Sequence, residues 1–210
     1  MRNFKNVLVL APHTDDGELG AGGLISKLIE NDAMVTYVAF STAAKSVPDG
    51  FPKDILKIEV RNATSALGIS EKNLVIYDFE VRKLNYVRQE ILESLVQLRK
   101  NSNYDLVLIP ALNDLHQDHS TVAIEALRAF KNTTILAYEL IWNNISFNCQ
   151  CFVSLNENHV NAKVNALSKY NSQGFREYLS PDFIRSLAKT RGVQAGLDYA
   201  EAFEVIRLFI

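Results

Sequence analysis

Apolar positions along the chain fall into two alternating rhythms. Val7-Leu8-Val9-Leu10-Ala11 is a continuous aliphatic run ended by Pro12, the pattern of a strand buried on both faces in a parallel sheet. Leu19, Leu24, Ile25, Leu28 and Ile29 then recur at helical spacing up to Asn31, and Val35 to Phe40 supplies a second apolar strand. The alternation predicts a helix through Leu56, Val60, Ala63 and Leu67 closed by Gly68, then a short strand from Leu74 to Tyr77. A further helical stripe through Val87, Ile91, Leu95 and Leu98 leads to a strand from Leu106 to Ile109, ended by Pro110. Strands and helices joined by a few residues make βαβ units with right-handed crossovers. The expected fold is α/β: a Rossmann-like, doubly wound, mainly parallel sheet with helices on both faces.

Beyond Trp142 the pattern loosens. Phe152 to Leu155 reads as a strand, Val160, Val164, Leu167 and Tyr170 as a helix, Phe183 to Leu187 as another, and Ala202 to Ile210 as a closing strand. With no repeat and no low-complexity linker, residues 1–210 are read as one domain. The stretch from Pro48 to Pro52, with Gly50 inside it, reads as a loop able to cover a site.

Composition narrows the function. The 210 residues are 48% hydrophobic and 22% charged, which fits a globular domain with a sizeable core and excludes disorder, collagen and coiled coil. A formal net charge of −2 gives no electrostatic footprint for nucleic acid or an anionic membrane, so a small-molecule partner is expected. No targeting segment is visible, and no apolar stretch approaches the roughly 18 residues that span a bilayer, so membrane insertion is not expected. Cys149 and Cys151 are too close for a good bridge and lack the usual zinc spacing, so they read as reduced thiols of a cytoplasmic protein. The oligomeric state stays open, a homo-oligomer being compatible with the sequence.

Ligand sites in open α/β sheets lie at the carboxyl ends of the strands. Two polar clusters fall there: Pro12-His13-Thr14-Asp15-Asp16-Gly17-Glu18 after the first strand, and Asn113-Asp114-Leu115-His116-Gln117-Asp118-His119 after the strand ended by Pro110. His13 and Asp16 offer an imidazole and a carboxylate from one turn, and His119 can add a second imidazole; three protein ligands leave a fourth position for water. Asp15 and Asp16 would repel each other unless a divalent cation offset the cost. If Asp16 turns to the metal, Asp15 is left free to take a proton from the water. The plainer alternative is a solvated turn capping the next helix.

These residues also carry a resemblance. His13-Thr14-Asp15-Asp16 running on through Gly23, and His116-Gln117-Asp118-His119, look like the two signature motifs of the PIG-L/LmbE-like family of zinc-dependent N-deacetylases. Weaker matches are Glu59-x-Arg61-x-Ala63, Lys163-x-x-Ala166-Leu167 leading to Ser172-Gln173, and Tyr199-Ala200-Glu201-Ala202-Phe203. The resemblance implies His13, Asp16 and His119 as zinc ligands, Asp15 as general base, His116 as the acid that stabilises and protonates the tetrahedral intermediate, and Asp118 as the residue orienting His116. It implies Glu18 and Arg61 on the substrate side and a substrate that is a small N-acetylglucosamine conjugate. Many relatives have Glu where this chain has Gly17, with one branch placing it as Glu18 is here. The Arg that relatives often carry upstream of Glu59 is replaced by Lys53 and Lys57.

Two rivals remain. The same two His and one carboxylate form the facial triad of non-haem iron oxygenases, with Fe2+ in place of Zn2+. Gly17, Gly20, Gly22 and Gly23 weakly suggest a nucleotide-binding module, although close helix packing accounts for them as well. Arg61 also fits a solvated helix face, Tyr199 and Glu201 fit structural positions on a strand, and His159 stands alone and is expected at the surface.

Overall fold

The computed structural model describes residues 4–209. Five parallel strands form the first part of a seven-stranded sheet: β1 (Asn6–Ala11), β2 (Met34–Ala39), β3 (Leu74–Ile76), β4 (Leu106–Pro110) and β5 (Thr134–Tyr138). The last two strands, β6 (Cys151–Leu155) and β7 (Tyr199–Arg207), are antiparallel, giving the order β3-β2-β1-β4-β5-β7-β6. The doubly wound, mainly parallel α/β sheet is as expected.

The continuous apolar run of β1 has a direct cause. Val7, Val9 and Ala11 enter one core, with α1 (Asp16–Glu30), α2 (Ile55–Ala66), α5 (Glu157–Leu167) and α6 (Pro181–Ala195). Leu8 and Leu10 enter the other, with α3 (Arg88–Asn101) and α4 (Gln117–Ala129). Both faces are covered, so strand alternation leaves no polar position.

Helix α4 and strand β5 carry little periodic signal in the sequence. The buried face of α4 is built largely from Val122, Ala123, Ala126 and Ala129, while its first turn carries His119 and Asp118, so the apolar stripe is short and small. Strand β7 starts at Tyr199, earlier than the expected Ala202, and Ile210 lies outside the described residues. His159 is not exposed. It is 4% accessible, completes the capping box of α5 with Asn156, and bonds Glu30 through Nε2 at 2.7 Å. No helix among the described residues is long and apolar enough to cross a membrane.

Helix α1 packs so closely that Gly20 has no room for a side chain; a Cβ there would lie 2.1 Å from the Tyr138 ring. The helix breaks at Ala21 (φ −143°, ψ 16°), which frees amides in its interior. Glu201 on β7 accepts two of them, from Gly23 at 2.9 Å and Leu24 at 2.7 Å, and its charge is matched by Lys163 Nζ at 2.7 Å. Glu59 on α2 likewise accepts from the Ser172 amide and hydroxyl at 2.8 and 2.6 Å. The weaker sequence matches thus bond to one another in pairs, tying distant segments together.

Candidate active site

Because β1 and β4 are parallel neighbours, the loops that follow them leave the sheet at the same edge. After β1, the His13 amide donates to Asp16 Oδ2 at 2.8 Å, curling the turn so that Asp15 and Asp16 open helix α1. Two buried tyrosines brace this turn from behind: the hydroxyls of Tyr37 and Tyr170 lie 2.9 and 2.7 Å from the Thr14 carbonyl. After β4, Asp114 Oδ1 accepts from the His116 amide at 2.8 Å, and His116 caps α4 through Nδ1, which accepts from the Asp118 amide at 3.1 Å.

Three donor atoms converge between the two loops. His13 Nδ1 and His119 Nε2 are 3.2 Å apart, and each is 3.2 Å from Asp16 Oδ2. A tetrahedral ion with bonds of about 2.0–2.1 Å needs its ligands about 3.3–3.4 Å apart, so this nearly equilateral triangle fits one with little movement. The outer nitrogen of each imidazole rests on a carboxylate: His13 Nε2 on Asp118 Oδ2 at 3.0 Å, His119 Nδ1 on Asp114 Oδ2 at 2.8 Å. That pairing fixes ring orientation and tautomer where a histidine ligates a metal. The His116 ring stacks on His119 with centroids 4.6 Å apart, and the donor atoms of all three imidazoles lie within 4.8 Å of one another. Asp16 nevertheless makes the tighter triangle.

The electrostatics agree with a cation at this point. Burial opposes charging of His13 and His119, but Asp16 and the flanking carboxylates outweigh it and raise them to about 9 and about 10. Burial likewise works against ionised Asp16, yet His119 and His13 hold it well below the usual carboxylate range. A divalent ion in the triangle would take over from those protons as the positive partner of Asp16. Asp15, raised to about 6 by burial and by neighbouring Asp16, has no bond to another side chain among the described residues. His116 is pushed down to about 4 by burial and by the two neighbouring imidazoles.

The site opens into a cavity of about 340 Å³, lined by His13, Asp15, Asp16, His116 and His119 together with Ser46, Arg82, Trp142, Asn143, Gln173, Arg176 and Tyr178. That volume suits a small-molecule ligand. Residues 48–52 form no helix or strand, and Ser46 and Leu56 on either side of them reach the cavity.

Three expected placements are corrected. The Asp118 carboxylate does not orient His116; it holds His13, and also accepts from the amides of Arg82 and Leu84 at 2.6 and 3.2 Å. Glu18 does not face substrate, because helix α1 turns it inward, where it is fully buried against the hydroxyls of Tyr37 and Tyr170. Arg61 is away from the cavity, on the exposed side of α2 near Glu71. Asp114 escaped assignment, although its place five residues before His119 in a His-rich cluster was a signal. Arg82, Trp142, Arg176 and Tyr178 carried no sequence pattern that marks them.

Residues 8–130 match the family model described as PIG-L, GlcNAc-PI de-N-acetylase, and the chain belongs to this family. The chain is 28% identical over 174 residues to the uncharacterized deacetylase YaiS of Escherichia coli strain K12, covering 80% of this chain and 91% of YaiS. It is 24% identical over 229 residues to the diacetylchitobiose deacetylase of Thermococcus kodakarensis, covering 97% and 84% respectively. Its fold superposes on the 4-carboxy-2-hydroxymuconate hydratase GalB of Pseudomonas putida KT2440 with a TM-score of 0.79, 17% identity and 98% of each chain covered. That likeness shows the fold alone, and a hydratase on this fold means that the reaction must be argued from the site. The deacetylase relatives support an enzyme that hydrolyses N-acetyl groups.

Proposed function

We propose that this chain is a metal-dependent N-deacetylase that removes the acetyl group from a small amino-sugar conjugate of the N-acetylglucosamine type, with Zn2+ as its ion. One observation carries the reading: two imidazole nitrogens and one carboxylate oxygen 3.2 Å apart, with the unengaged carboxylate of Asp15 beside them. The N-acetylated sugar is suggested by the diacetylchitobiose deacetylase relative.

His13, Asp16 and His119 would hold the ion, which when bound supplies Lewis acidity to the amide carbonyl and makes water a better nucleophile near neutral pH. Asp15 takes a proton from the attacking water as the new C–O bond forms at the acetyl carbon. His116, whose Nδ1 already accepts from the Asp118 amide, carries its hydrogen on Nε2 when neutral and donates it as a hydrogen bond to the oxygen where charge develops. Asp15, in place of the acid role expected for His116, which burial and the two neighbouring imidazoles push down to about 4, then returns the proton to the amine nitrogen as the C–N bond breaks, giving acetate and a free amine. Asp114 and Asp118 act through the imidazoles they hold.

The iron oxygenase reading shares the triad, but a spare carboxylate beside it suits hydrolysis, and turnover without oxygen separates the two. The nucleotide-module reading loses its support, since Gly17 and Gly20 face Tyr37 and Tyr138 of the chain's own core. Two free cysteines are consistent with a cytoplasmic enzyme. Metal analysis of the purified protein, paired with acetate release from N-acetylglucosamine conjugates, tests the proposal. One ion per chain and released acetate are expected, both lost in His119→Ala; full metal occupancy in that variant would sink the ligand assignment.

A further inference from the structure

One buried polar side chain of the cavity wall takes no part in the hydrolytic steps. Gln173 ends a short 3₁₀ turn, Asn171–Gln173, and is only 5% exposed, yet it lines the cavity. Both ends of its amide are engaged: Nε2 donates to Ser172 Oγ at 3.2 Å, and Oε1 accepts from Arg176 Nε at 2.8 Å. Behind Ser172 stands the buried Glu59 of α2, which accepts from the Ser172 amide at 2.8 Å and from its hydroxyl at 2.6 Å.

The order of donors and acceptors fixes which way the Gln173 amide faces. An ionised carboxylate only accepts, so the hydroxyl hydrogen of Ser172 is committed to Glu59 and Ser172 Oγ is left to accept from Gln173. A guanidinium only donates, so Arg176 requires the amide oxygen on its side. Each neighbour alone selects the same orientation. Reversing the amide would set its nitrogen against the guanidinium and its oxygen against a hydroxyl with no hydrogen to give. A primary amide has two hydrogens on nitrogen and two lone pairs on oxygen; one of each is committed here, and one of each is uncommitted among the described residues.

We propose that Gln173 is a specificity-determining residue that reads the hydroxyl at C3 of the amino sugar, with Ser172 and Glu59 as positioning residues behind it. This rests on the deacetylase reading. A hydroxyl both donates and accepts, and so does the uncommitted part of the amide, whereas a carboxylate, a phosphate or an ammonium group would use only half of it. The place on the ring follows from the turn. The backbone N–H of Gln173 donates to the Tyr170 carbonyl at 3.0 Å and the Tyr170 hydroxyl donates to the Thr14 carbonyl at 2.7 Å, which sets the turn against the segment carrying Asp15. Asp15 must reach the nitrogen on C2; of the two ring carbons beside it, C1 carries the attached group and C3 the free hydroxyl. An amide already held by two neighbours also loses little rotamer freedom on binding.

The test uses the zinc-loaded enzyme with three substrates: the methyl glycoside of N-acetylglucosamine, its 3-deoxy analogue and its 4-deoxy analogue. The parent should favour the full glycoside over the 3-deoxy analogue roughly tenfold or more in kcat/KM, because a missing hydroxyl leaves the amide unpaired in the complex. Gln173→Met keeps length and bulk without a polar group. It should lose that factor on the full glycoside, mostly through KM, while its kcat/KM on the 3-deoxy analogue stays within about twofold of the parent and the ratio of full to 4-deoxy glycoside does not change. Gln173→Glu, which keeps the bond to Arg176 but has no N–H, should lose the preference likewise. Ser172→Ala should keep its metal and its kcat and lose about threefold or more of the preference; an undiminished preference there overturns the positioning role. Calorimetry with the methyl glycosides of glucosamine and 3-deoxyglucosamine reads the same contact without turnover. Parent enzyme indifferent to the 3-hydroxyl, or equal proportional losses on all three glycosides in Gln173→Met, overturns the assignment and leaves the deacetylase reading standing. A calorimetric preference that depends on Gln173, with no acetate released from any glycoside, overturns the deacetylase reading alone.

Discussion

The carboxylate of Asp118 bonds Nε2 of His13 at 3.0 Å, joining the first turn of α4 to the loop after β1 across 105 positions of sequence. One oxygen of this buried carboxylate also fixes the Arg82 amide, so a single side chain aligns the His13 imidazole and a wall of the cavity. Asp118→Asn should therefore weaken metal binding about 10- to 100-fold. Competition against a chelator measures this; an unchanged affinity would show that the imidazole orients itself. Asp114→Asn should behave alike through His119.

Asp15 lines the same cavity as the triangle formed by His13, Asp16 and His119 without belonging to it. Asp15→Asn is expected to keep its metal and lose about 10²- to 10⁴-fold in kcat. Loss of metal instead would mean that Asp15 and Asp16 have exchanged roles, and near-parent turnover would place the base elsewhere.

His116 caps α4 through Nδ1 and lines the cavity. A donor aimed at developing charge matters more in the transition state than in the ground state. His116→Ala should leave KM within a few-fold and lower kcat by about 10²–10³. If KM rises and kcat holds, the imidazole binds substrate and does not stabilise the oxyanion.

Burial pushes Glu18 up to about 8, so at neutral pH it is largely protonated. The neutral form suits its surroundings, since two tyrosine hydroxyls alone cannot supply protons to both Glu18 oxygens and the Thr14 carbonyl. A carboxyl whose folded pKa lies above its unfolded value stabilises the fold below the unfolded pKa, and that stability is lost as pH rises through the folded one. Urea unfolding of the chelated protein should thus show the parent weakening relative to Glu18→Gln between about pH 5 and pH 9, by on the order of a few kcal/mol. A constant gap across that interval would mean that Glu18 is already ionised in the fold.

The first strand, the alternation through β4 and the two polar clusters were legible because each depends on neighbours in sequence. A buried parallel strand is apolar throughout, and the His and Asp residues crowd into two strand-end turns. What stayed hidden depends on contacts made across the sheet. Whether Asp118 serves His116, two positions away, or His13, 105 positions away, is decided by how β1 and β4 pair. Glu18 turned inward because Tyr37 and Tyr170, from β2 and from the segment after α5, meet it there. An isolated arginine such as Arg82 or Arg176 has no periodicity at all, and only its place in the folded cavity distinguishes it.

The break in α1 bears on how the protein is made. The amides of Gly23 and Leu24 emerge from the ribosome well before their acceptor, Glu201, which lies on β7, a strand that must slip between β5 and β6 after both have been synthesised. Until then β5 has an open edge and the helix that begins with Asp16 lacks its internal brace. A nascent chain stalled before Tyr199 would present that edge to other chains while the turn carrying His13 and Asp16 is still loosely anchored, so translation pauses between β6 and β7 are where aggregation should begin.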